Sequence, residues 1–293
     1  MKTIWVVGSL GNVGSAIIRQ LNCLEYEIIE TDKDEVDITD EEQVRKYMNM
    51  SRPDVVINCA GYSDVQKCEE NIDEAYKVNA LGVRNLAQAA ESIQAKLIQI
   101  STDDVFSVPS DRTYNEFDSV NPGNIYGKSK FAGELMVEKL MTRYAIIRSS
   151  WLYGIKGNFL DKVIENIGSG KPMEVADNDF AVPTSAKEIA KVIAQFIDND
   201  HFGLYHAVCT GGPCSRYEYA KEILKILGKE NELELIPVNE KQGVPKKYSA
   251  LDNMMLRISG MEEPIEWKSA LKEYLLSALR DGMIMVLLRC CHS

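Results

Sequence analysis

The segment YGKSK (126–130) places a phenol and an ammonium group four residues apart. On a helix, Tyr126 and Lys130 would therefore share a face. A phenol has an ordinary pKa of about 10, and a nearby cation lowers that pKa by stabilising the phenolate. The pair is a candidate for proton transfer near neutral pH. The same spacing also occurs on ordinary solvated helices, so it needs partners.

A hydroxyl at the end of an apolar segment supplies the first partner. KLIQIS (96–101) runs directly into Thr102 and Asp103. Open α/β sheets bind their ligands at the carboxyl ends of their strands. We therefore expect Thr102 to hydrogen-bond a carbonyl oxygen beside Tyr126. Thr102, Tyr126 and Lys130 form the candidate catalytic set.

A glycine loop near the N-terminus supplies the second partner. GSLGNVG (8–14) follows the apolar segment TIWVVG (3–8) and opens a helical pattern. Glycines let the backbone approach a pyrophosphate, and a helix N-terminus offers free N–H groups to it. Glycine triplets also arise in ordinary turns, but a strand before and a helix after favour a dinucleotide site.

The nicotinamide preference stays open at this stage. Asp32 stands 18 residues after the third glycine, where an acidic side chain binds the adenosine ribose hydroxyls of NAD. The adjoining Lys33 could instead attract the 2′-phosphate of NADP. A solvated turn is the alternative reading of both residues.

The elements that must position these groups alternate between strand and helix. The pattern predicts strands at 3–8, 27–31, 54–61, 96–101 and 144–150, with helices at 12–22, 40–50, 72–92 and 126–142. Apolar strands separated by helices indicate a parallel sheet covered on both faces, and right-handed crossovers make it doubly wound. The predicted fold class is α/β and Rossmann-like, with a smaller C-terminal substrate-binding cap.

The second half of the chain is less regular. We expect a dinucleotide-binding domain at 1–151 whose sheet is completed by about 185–210, and a substrate domain at 152–184 and 211–293. Helices are predicted at 158–168, 185–198, 215–227 and 267–279, and a strand at 203–208. The apolar tail MIMVLLRCCHS (283–293) is too short to span a bilayer, and an interfacial anchor, a docked tail and a disordered tail remain open.

Composition excludes some classes of protein. Acidic residues outnumber basic ones by 44 to 33, which argues against a nucleic-acid partner. The seven cysteines form no C-x-x-C pair, which favours reduced thiols in the cytoplasm over disulfides or zinc. The chain opens without a cleavable apolar signal, and no membrane association is expected.

Taken together, these segments resemble the dTDP-4-dehydrorhamnose reductase family of extended short-chain dehydrogenases. The resemblance runs from the glycine loop to about residue 280. It is carried by DITD (37–40), DVVINCAGYSDV (54–65), VNALGVRNLA (78–87), ISTDDVF (100–106), YNEFDSVNPGNIYGKSKFAGE (114–134), RSSWLYG (148–154), NF (158–159), VPTS (182–185), GLYHAV (203–208) and YSAL (248–251).

The resemblance implies NADPH or NADH as cofactor and a nucleotide-diphosphate sugar as substrate. In it, Tyr126 protonates the C4 carbonyl oxygen of a 4-keto sugar as hydride arrives, Lys130 binds the nicotinamide ribose, and Thr102 holds the carbonyl oxygen. Trp151 packs against the sugar or shapes its pocket, with a core tryptophan as the alternative. The residues it places at the cofactor are Gly8, Leu10, Gly11, Asn12, Val13, Asp37, Ile38, Cys59, Ala60 and Gly61.

The chain departs from the family pattern on the substrate side. The family usually has tyrosine after STD, but this chain has Asp104, which with Asp103 would face the substrate. The segment before PT, DNDFAVPT (177–184), carries Phe180 and no glycine. Some members dimerise through magnesium held by a glutamate where this chain has Ala16, so no such metal site is expected.

The function expected from these features is NAD(P)H-dependent reduction of dTDP-4-dehydro-L-rhamnose to dTDP-L-rhamnose, by a monomer or homodimer. A reductase of another 4-keto nucleotide sugar and a non-catalytic regulatory subunit with the same fold are the alternatives. His206, inside the apolar segment GLYHAV, is expected to be a core histidine, and packing alone would account for Cys59.

Overall fold

A computed structural model describes residues 1–280 except 109, 111, 155, 156, 244 and 245. The tail at 283–293, for which three roles were left open, lies outside the described residues. Within the described part of the chain, no helix is both long and apolar enough to cross a lipid bilayer.

The strands of the described residues are short, as expected for a compact α/β protein. In chain order they are β1 (Lys2–Val7), β2 (Tyr26–Thr31), β3 (Val55–Asn58), β4 (Lys96–Thr102), β5 (Tyr144–Ser149), β6 (Leu152–Tyr153), β7 (Met173–Ala176), β8 (Asp179–Ala181), β9 (Thr184–Ser185), β10 (Gly203–His206), β11 (Cys214–Ser215), β12 (Leu235–Val238) and β13 (Lys247–Tyr248).

The helices alternate with these strands through most of the chain. They are α1 (Asn12–Gln20), α2 (Glu41–Ser51), α3 (Val65–Glu70), α4 (Ile72–Tyr76), α5 (Val83–Ser92), α6 (Ile125–Leu140), α7 (Phe159–Asn166), α8 (Ala186–Asp198), α9 (Arg216–Leu227), α10 (Met254–Ile258) and α11 (Trp267–Arg280). A π-helical turn spans Lys77–Gly82, and 3-10 turns span Asp103–Val105 and Glu240–Gln242.

Six strands form the central sheet, in the order β2-β1-β3-β4-β5-β10. Every neighbouring pair in it is parallel. Strand order reverses between β1 and β3, and open α/β sheets bind their ligands in the crevice at such a point. The predicted doubly wound, Rossmann-like fold is confirmed.

Helices cover both faces of this sheet, which explains why its strands are apolar on both sides. One face packs against α1 and α8 through a cluster that includes Ile17 and Ile193. The other packs against α2, α5 and α6 through a cluster that includes Met48, Leu86 and Val137. The carboxyl ends of the strands are thereby held rigidly at one edge.

The cap forms beyond that edge from small sheets, β11-β8-β13, β12-β7 and β6-β9, together with α7, α9 and α11. A third apolar cluster fills it and includes Val163, Ile223 and Leu271. Phe106, just after β4, is buried in the same cluster. The segment that follows the central strand is therefore anchored in the cap.

The predicted helix at 72–92 is confirmed, as α4, the π-helical turn and α5 follow one another without a gap. Close contacts surround the π-helical turn. A Cβ at Gly82 would lie 2.7 Å from Ile38, and the buried amide of Asn79 bonds the loop at Tyr62. The predicted strand at 54–61 ends at Asn58, so Cys59, Ala60 and Gly61 belong to a loop.

Candidate active site

The glycine loop is shaped by close backbone contacts. Gly8 has φ +74° and donates its N–H to Thr31 O at 2.9 Å. A Cβ there would lie 2.7 Å from the nitrogen of Ala60, and one at Gly14 would lie 2.3 Å from Gly8 O. Only glycine fits these positions. No side chain caps α1 after Gly11, so the N–H groups of its first turn can receive an anion.

A cavity of about 290 Å³ lies where β1, β2 and β3 end. Its lining includes the residues expected at the cofactor Gly8, Gly11, Asp32, Asp37, Ile38, Cys59, Ala60 and Gly61. The expected contacts Leu10, Asn12 and Val13 belong to the same loop and first helical turn, but they do not line the cavity. A strand-end cavity beside an uncapped helix N-terminus fits a dinucleotide.

Two carboxylates are fixed at the rim of this cavity. Asp32 accepts hydrogen bonds from the N–H groups of Leu10 at 3.2 Å and Lys33 at 2.8 Å. Asp37 accepts from the N–H and hydroxyl of Thr39. Burial acts to raise the pKa of Asp37, but the Thr39 hydrogen bonds together with Lys33 and Lys77 outweigh it and lower that pKa. Both carboxylates are therefore held in place at the rim of the cavity.

Helix α6 carries the phenol and the ammonium group. Asn124 caps it by accepting the N–H of Gly127 at 2.7 Å. A Cβ at Gly127 would lie 2.1 Å from Asp104 O, so the first turn of α6 presses directly on the 3-10 turn after β4. The hydroxyl of Thr102 lies close enough to the phenol of Tyr126 to act on the pKa of that phenol. Thr102 also accepts the N–H of Asp104 at 3.1 Å.

Lys130 is buried between the central strand and the cofactor loop. Its Nζ donates to Ile100 O at 2.7 Å and lies 3.7 Å from where a Cβ of Gly61 would be. Burial lowers the pKa of Lys130 to about 8, although Glu134 and Cys59 act to raise it. The structure therefore places Lys130 beside Gly61 in the lining of the dinucleotide cavity, while Thr102 ends β4 and Tyr126 lies in the first turn of α6.

The predicted lowering of the tyrosine pKa is wrong for these side chains. Burial raises the pKa of Tyr126 above its ordinary value of 10, and the carboxylate of Asp104 raises it further. The hydrogen bond with Thr102 acts the other way. The local groups thus favour the protonated phenol, which is the form that a proton donor needs.

The two aspartates after Thr102 are both engaged with the cap. Asp103 is buried and accepts the hydroxyl proton of Ser249 at 2.5 Å. Burial, with a contribution from Asp104, raises the pKa of Asp103 to about 7. Asp104 accepts from Lys247 Nζ at 2.7 Å and from Asn124 at 3.1 Å, all at the same carboxylate oxygen.

Trp151 lies beside a second cavity rather than in the fully buried core. This cavity, of about 410 Å³, is lined by Trp151, Leu152, Tyr153, Asn158, Phe159, Leu160, Lys162, Arg216 and Tyr219. The guanidinium carbon of Arg216 lies 3.5 Å from the ring centroid of Trp151, and its Nε lies 3.2 Å from Asp179. Trp151 has φ +40°, a strained conformation for a bulky residue.

Sequence reasoning missed several polar residues around this site. Asn79 bonds the loop at Tyr62 and also Ser129 on α6, at 2.9 Å. Lys247 and Ser249 reach the site from the cap, more than 140 positions along the chain from Asp103 and Asp104. Asn79 and Ser249 lie in the family-like stretches VNALGVRNLA and YSAL, which is the signal that could have identified them. No local signal pointed to Lys247.

A buried ion pair supports α6 from below. Arg148 donates to both carboxylate oxygens of Glu134, at 2.9 and 2.6 Å, and Ser101 adds a hydroxyl donor. His206 lies next to Arg148 and is fully buried, as expected for a core histidine. Burial, with Arg148, lowers the pKa of His206 to about 3. Burial raises the pKa of the Cys59 thiol to about 12, so it is not a nucleophile at neutral pH.

Comparison with known proteins decides the family. The family model described as RmlD substrate binding domain matches residues 1–279. The chain belongs to this family. One relative, the spore coat polysaccharide biosynthesis protein SpsK of Bacillus subtilis, is 33% identical to this chain. The similarity covers 94% of this chain and 97% of the relative's own length.

Solved structures of similar proteins support the same family assignment. A dTDP-4-dehydrorhamnose reductase from Clostridium acetobutylicum superposes with a TM-score of 0.89 at 39% identity, covering 93% of this chain and 98% of its own. A dTDP-4-dehydrorhamnose reductase from Bacillus anthracis, solved in complex with NADP, gives 0.89 at 34% identity over 94% and 99%. The resemblance inferred from the sequence is confirmed.

Proposed function

We propose that this RmlD-family protein is an oxidoreductase that uses NAD(P)H to reduce the C4 keto group of dTDP-4-dehydro-L-rhamnose, giving dTDP-L-rhamnose. The observation that carries the proposal is the approach of Tyr126 to Thr102, with Lys130 of the same helix buried beside Gly61 in the lining of the dinucleotide cavity. The names of the matched reductases support the same reaction.

The chain's own residues supply the proton and hold the carbonyl oxygen. Tyr126 donates its hydroxyl proton to the C4 oxygen, and its raised pKa keeps that proton in place until charge develops on the oxygen. Thr102 donates a hydrogen bond to the same oxygen and stabilises the developing negative charge. The reduced nicotinamide supplies the hydride that C4 receives.

Lys130 and the glycine loop place the cofactor in this scheme. The N-terminus of α1 would hold the pyrophosphate, and Gly8 and Gly11 would allow its close approach. Lys130 would hydrogen-bond the nicotinamide ribose and offset the negative charge that Tyr126 acquires on losing its proton. Asp32 and Asp37 would bind the adenosine end.

The decisive experiment follows NADH and NADPH oxidation with dTDP-4-dehydro-L-rhamnose as substrate. We expect turnover by the wild type and a loss of about 10²- to 10⁴-fold in kcat for Tyr126→Phe. The affinity for NAD(P)H, measured by fluorescence titration, should change little. Normal turnover by Tyr126→Phe would eliminate the proton-donor role.

A related substrate is the second candidate, because Asp104 stands where the family usually has tyrosine. A relative from Streptomyces niveus, 28% identical over 93% of this chain, is named dTDP-4-keto-6-deoxy-D-glucose reductase. A panel of dTDP-, UDP- and GDP-linked 4-keto sugars separates the candidates. The highest kcat/KM on a sugar other than the rhamnose precursor would favour the second. A stoichiometric partner enzyme combined with inertness on the whole panel would instead favour a regulatory subunit.

We also propose the division of labour along the chain. Residues 1–151, with the sheet completed by 185–210, bind the dinucleotide, and 152–184 with 211–293 bind the substrate. Trp151, Asp103 and Asp104 lie on the substrate side of Tyr126. The protein acts in the cytoplasm, as a monomer or homodimer, on a nucleotide-diphosphate sugar.

A further inference from the structure

An ion pair joins the cap to the 3-10 turn Asp103–Val105, which we call the catalytic turn. Lys247 lies in β13, which runs parallel to β8 in the cap sheet. Its Nζ lies 2.7 Å from Asp104 in the turn that follows β4. Two residues further on, the fully buried hydroxyl of Ser249 binds Asp103. Two cap side chains, Lys247 and Ser249, therefore bind the two consecutive aspartates of the turn.

The catalytic turn also contacts the first residues of α6. Asp104 accepts the side-chain N–H of Asn124, the residue that caps α6. The carbonyl oxygen of Asp104 faces Gly127 so closely that no side chain fits between them. Tyr126 lies between Asn124 and Gly127. A shift of Asp104 would therefore be passed directly to the phenol.

Charge gives Lys247 a second effect on the phenol. Asp103, Asp104 and Asp179 all lie close enough to Lys247 to raise its pKa, although burial opposes them. Arg216 pairs with Asp179, so Lys247 is the cation that faces Asp104. Without it, the negative charge of Asp104 would act in full on Tyr126.

We propose that Lys247 is a positioning residue of the reductase, which holds Asp104 against the start of α6 and neutralises its charge beside Tyr126. The inference rests on the proposed function and adds to it a residue of the cap that acts through another group. Asp104, whose Oδ1 accepts from both Lys247 and Asn124, then serves the turn that follows β4.

The test compares Lys247→Met, Asp104→Asn and the double variant, with Lys187→Met as control. Lys187 makes an exposed ion pair with Glu273 on the far helix pair α8 and α11. We expect Lys247→Met to lose about 10- to 100-fold in kcat, because small misplacements of a reacting group cost that much. The Kd for NAD(P)H should not change. The double variant, which has no unbalanced charge, should recover most of the loss.

A pH profile separates positioning from a merely structural role. The groups that act on Tyr126 are Asp103 and Asp104 from the 3-10 turn, Thr102 from β4, Cys68 from α3 and, through Asp104, Lys247 from β13. Lys130, one helical turn further along α6, adds a buried cation. Loss of Lys247 leaves Asp104 uncompensated, so the alkaline limb of kcat/KM should move to higher pH. In the double variant it should return.

A stability measurement covers the case in which the wild type does not turn over the substrate, which would refute the proposed function. Lys247 lowers the pKa of Asp103, so its removal raises that pKa further. A protein in which the folded pKa of a carboxyl group is raised loses stability as pH rises above about 4, because the unfolded chain releases that proton first. The Tm deficit of Lys247→Met should therefore grow as pH rises above about 7, the folded pKa of Asp103 in the wild type. A deficit that does not depend on pH, or wild-type kcat in Lys247→Met, would overturn the inference.

Discussion

At the scale of single residues, the hydroxyl of Thr102 is the group whose removal is most informative. It accepts the N–H of Asp104 and lies close enough to the phenol of Tyr126 to act on its pKa. We expect Thr102→Val, which keeps the shape, to lower kcat by about 10²-fold, because one donor to the developing oxyanion is lost. Steady-state kinetics with the keto sugar measures this. Thr102→Ser keeps the hydroxyl and should retain most of the activity; equal losses in the two variants would contradict the role.

Asp32 is the residue that we expect to set the preference between nicotinamides. Hydrogen bonds to Leu10 and Lys33 hold its carboxylate at the rim of the cavity, where it would repel a 2′-phosphate. Asp32→Ser should shift the kcat/KM ratio toward NADPH by about tenfold, or roughly 1.4 kcal/mol. Lys33→Met, the matched change of opposite sign, should shift it toward NADH. An unchanged ratio in Asp32→Ser would rule out the role.

At the scale of elements, the contact between α6 and the turn after β4 depends on Gly127. A Cβ there would meet Asp104 O at 2.1 Å, a backbone atom that cannot rotate away. Gly127→Ala should destabilise the protein by about 1–3 kcal/mol, through overpacking, and should lower kcat by displacing Tyr126. Thermal unfolding and kinetics measure the two effects. Lys128→Ala, at the next and exposed position of α6, should leave both unchanged.

The packing of α6 against the sheet depends on the buried ion pair between Glu134 and Arg148. Their side chains are 1% and 3% exposed. Glu134→Gln would leave the guanidinium without its counter-charge, which costs about 3–5 kcal/mol when a buried pair is broken. Denaturant unfolding should show this loss. Glu273→Gln, in the exposed pair with Lys187, should cost no more than about 0.5 kcal/mol, and an equal loss in both variants would contradict the argument.

At the scale of the whole molecule, His206 joins the last strand of the sheet to two loops. Its Nδ1 lies 3.1 Å from Tyr114 O and 3.2 Å from Asp252 O, so Nδ1 carries the proton, and Nε2 faces Arg148. The folded protein binds a second proton on this ring only near pH 3, whereas the unfolded chain binds it near pH 6.5. Stability should therefore fall as pH falls from about 6.5 toward 3.

The variant His206→Asn keeps a donor for the two carbonyl oxygens but does not titrate. It should be less stable than the wild type at pH 7, because it is smaller, and its stability should fall less steeply below about pH 6.5. Urea unfolding at a series of pH values measures the slopes. Parallel slopes would show that His206 does not contribute to the acid limb.

The sequence by itself determined the architecture and singled out the candidate catalytic residues. Apolar segments such as 96–101 are buried on both faces of a parallel sheet, and their periodicity expresses that burial directly. The glycine loop follows from the same local logic, because Gly8 and Gly14 leave no room for a side chain. The spacing of Tyr126 and Lys130 on one helix is likewise a local property, readable without knowledge of anything distant.

Only the tertiary structure decided which groups surround the phenol and what they do to it. Lys247 and Ser249 meet Asp104 and Asp103 across more than 140 residues of chain, through a cap sheet whose strands are too short to leave a periodic signal. The sign of the pKa shift at Tyr126 also depends on burial and on Asp104, and burial is a property of the packed molecule. Spacing fixes which residues share a helix face, but three-dimensional packing fixes their electrostatic environment.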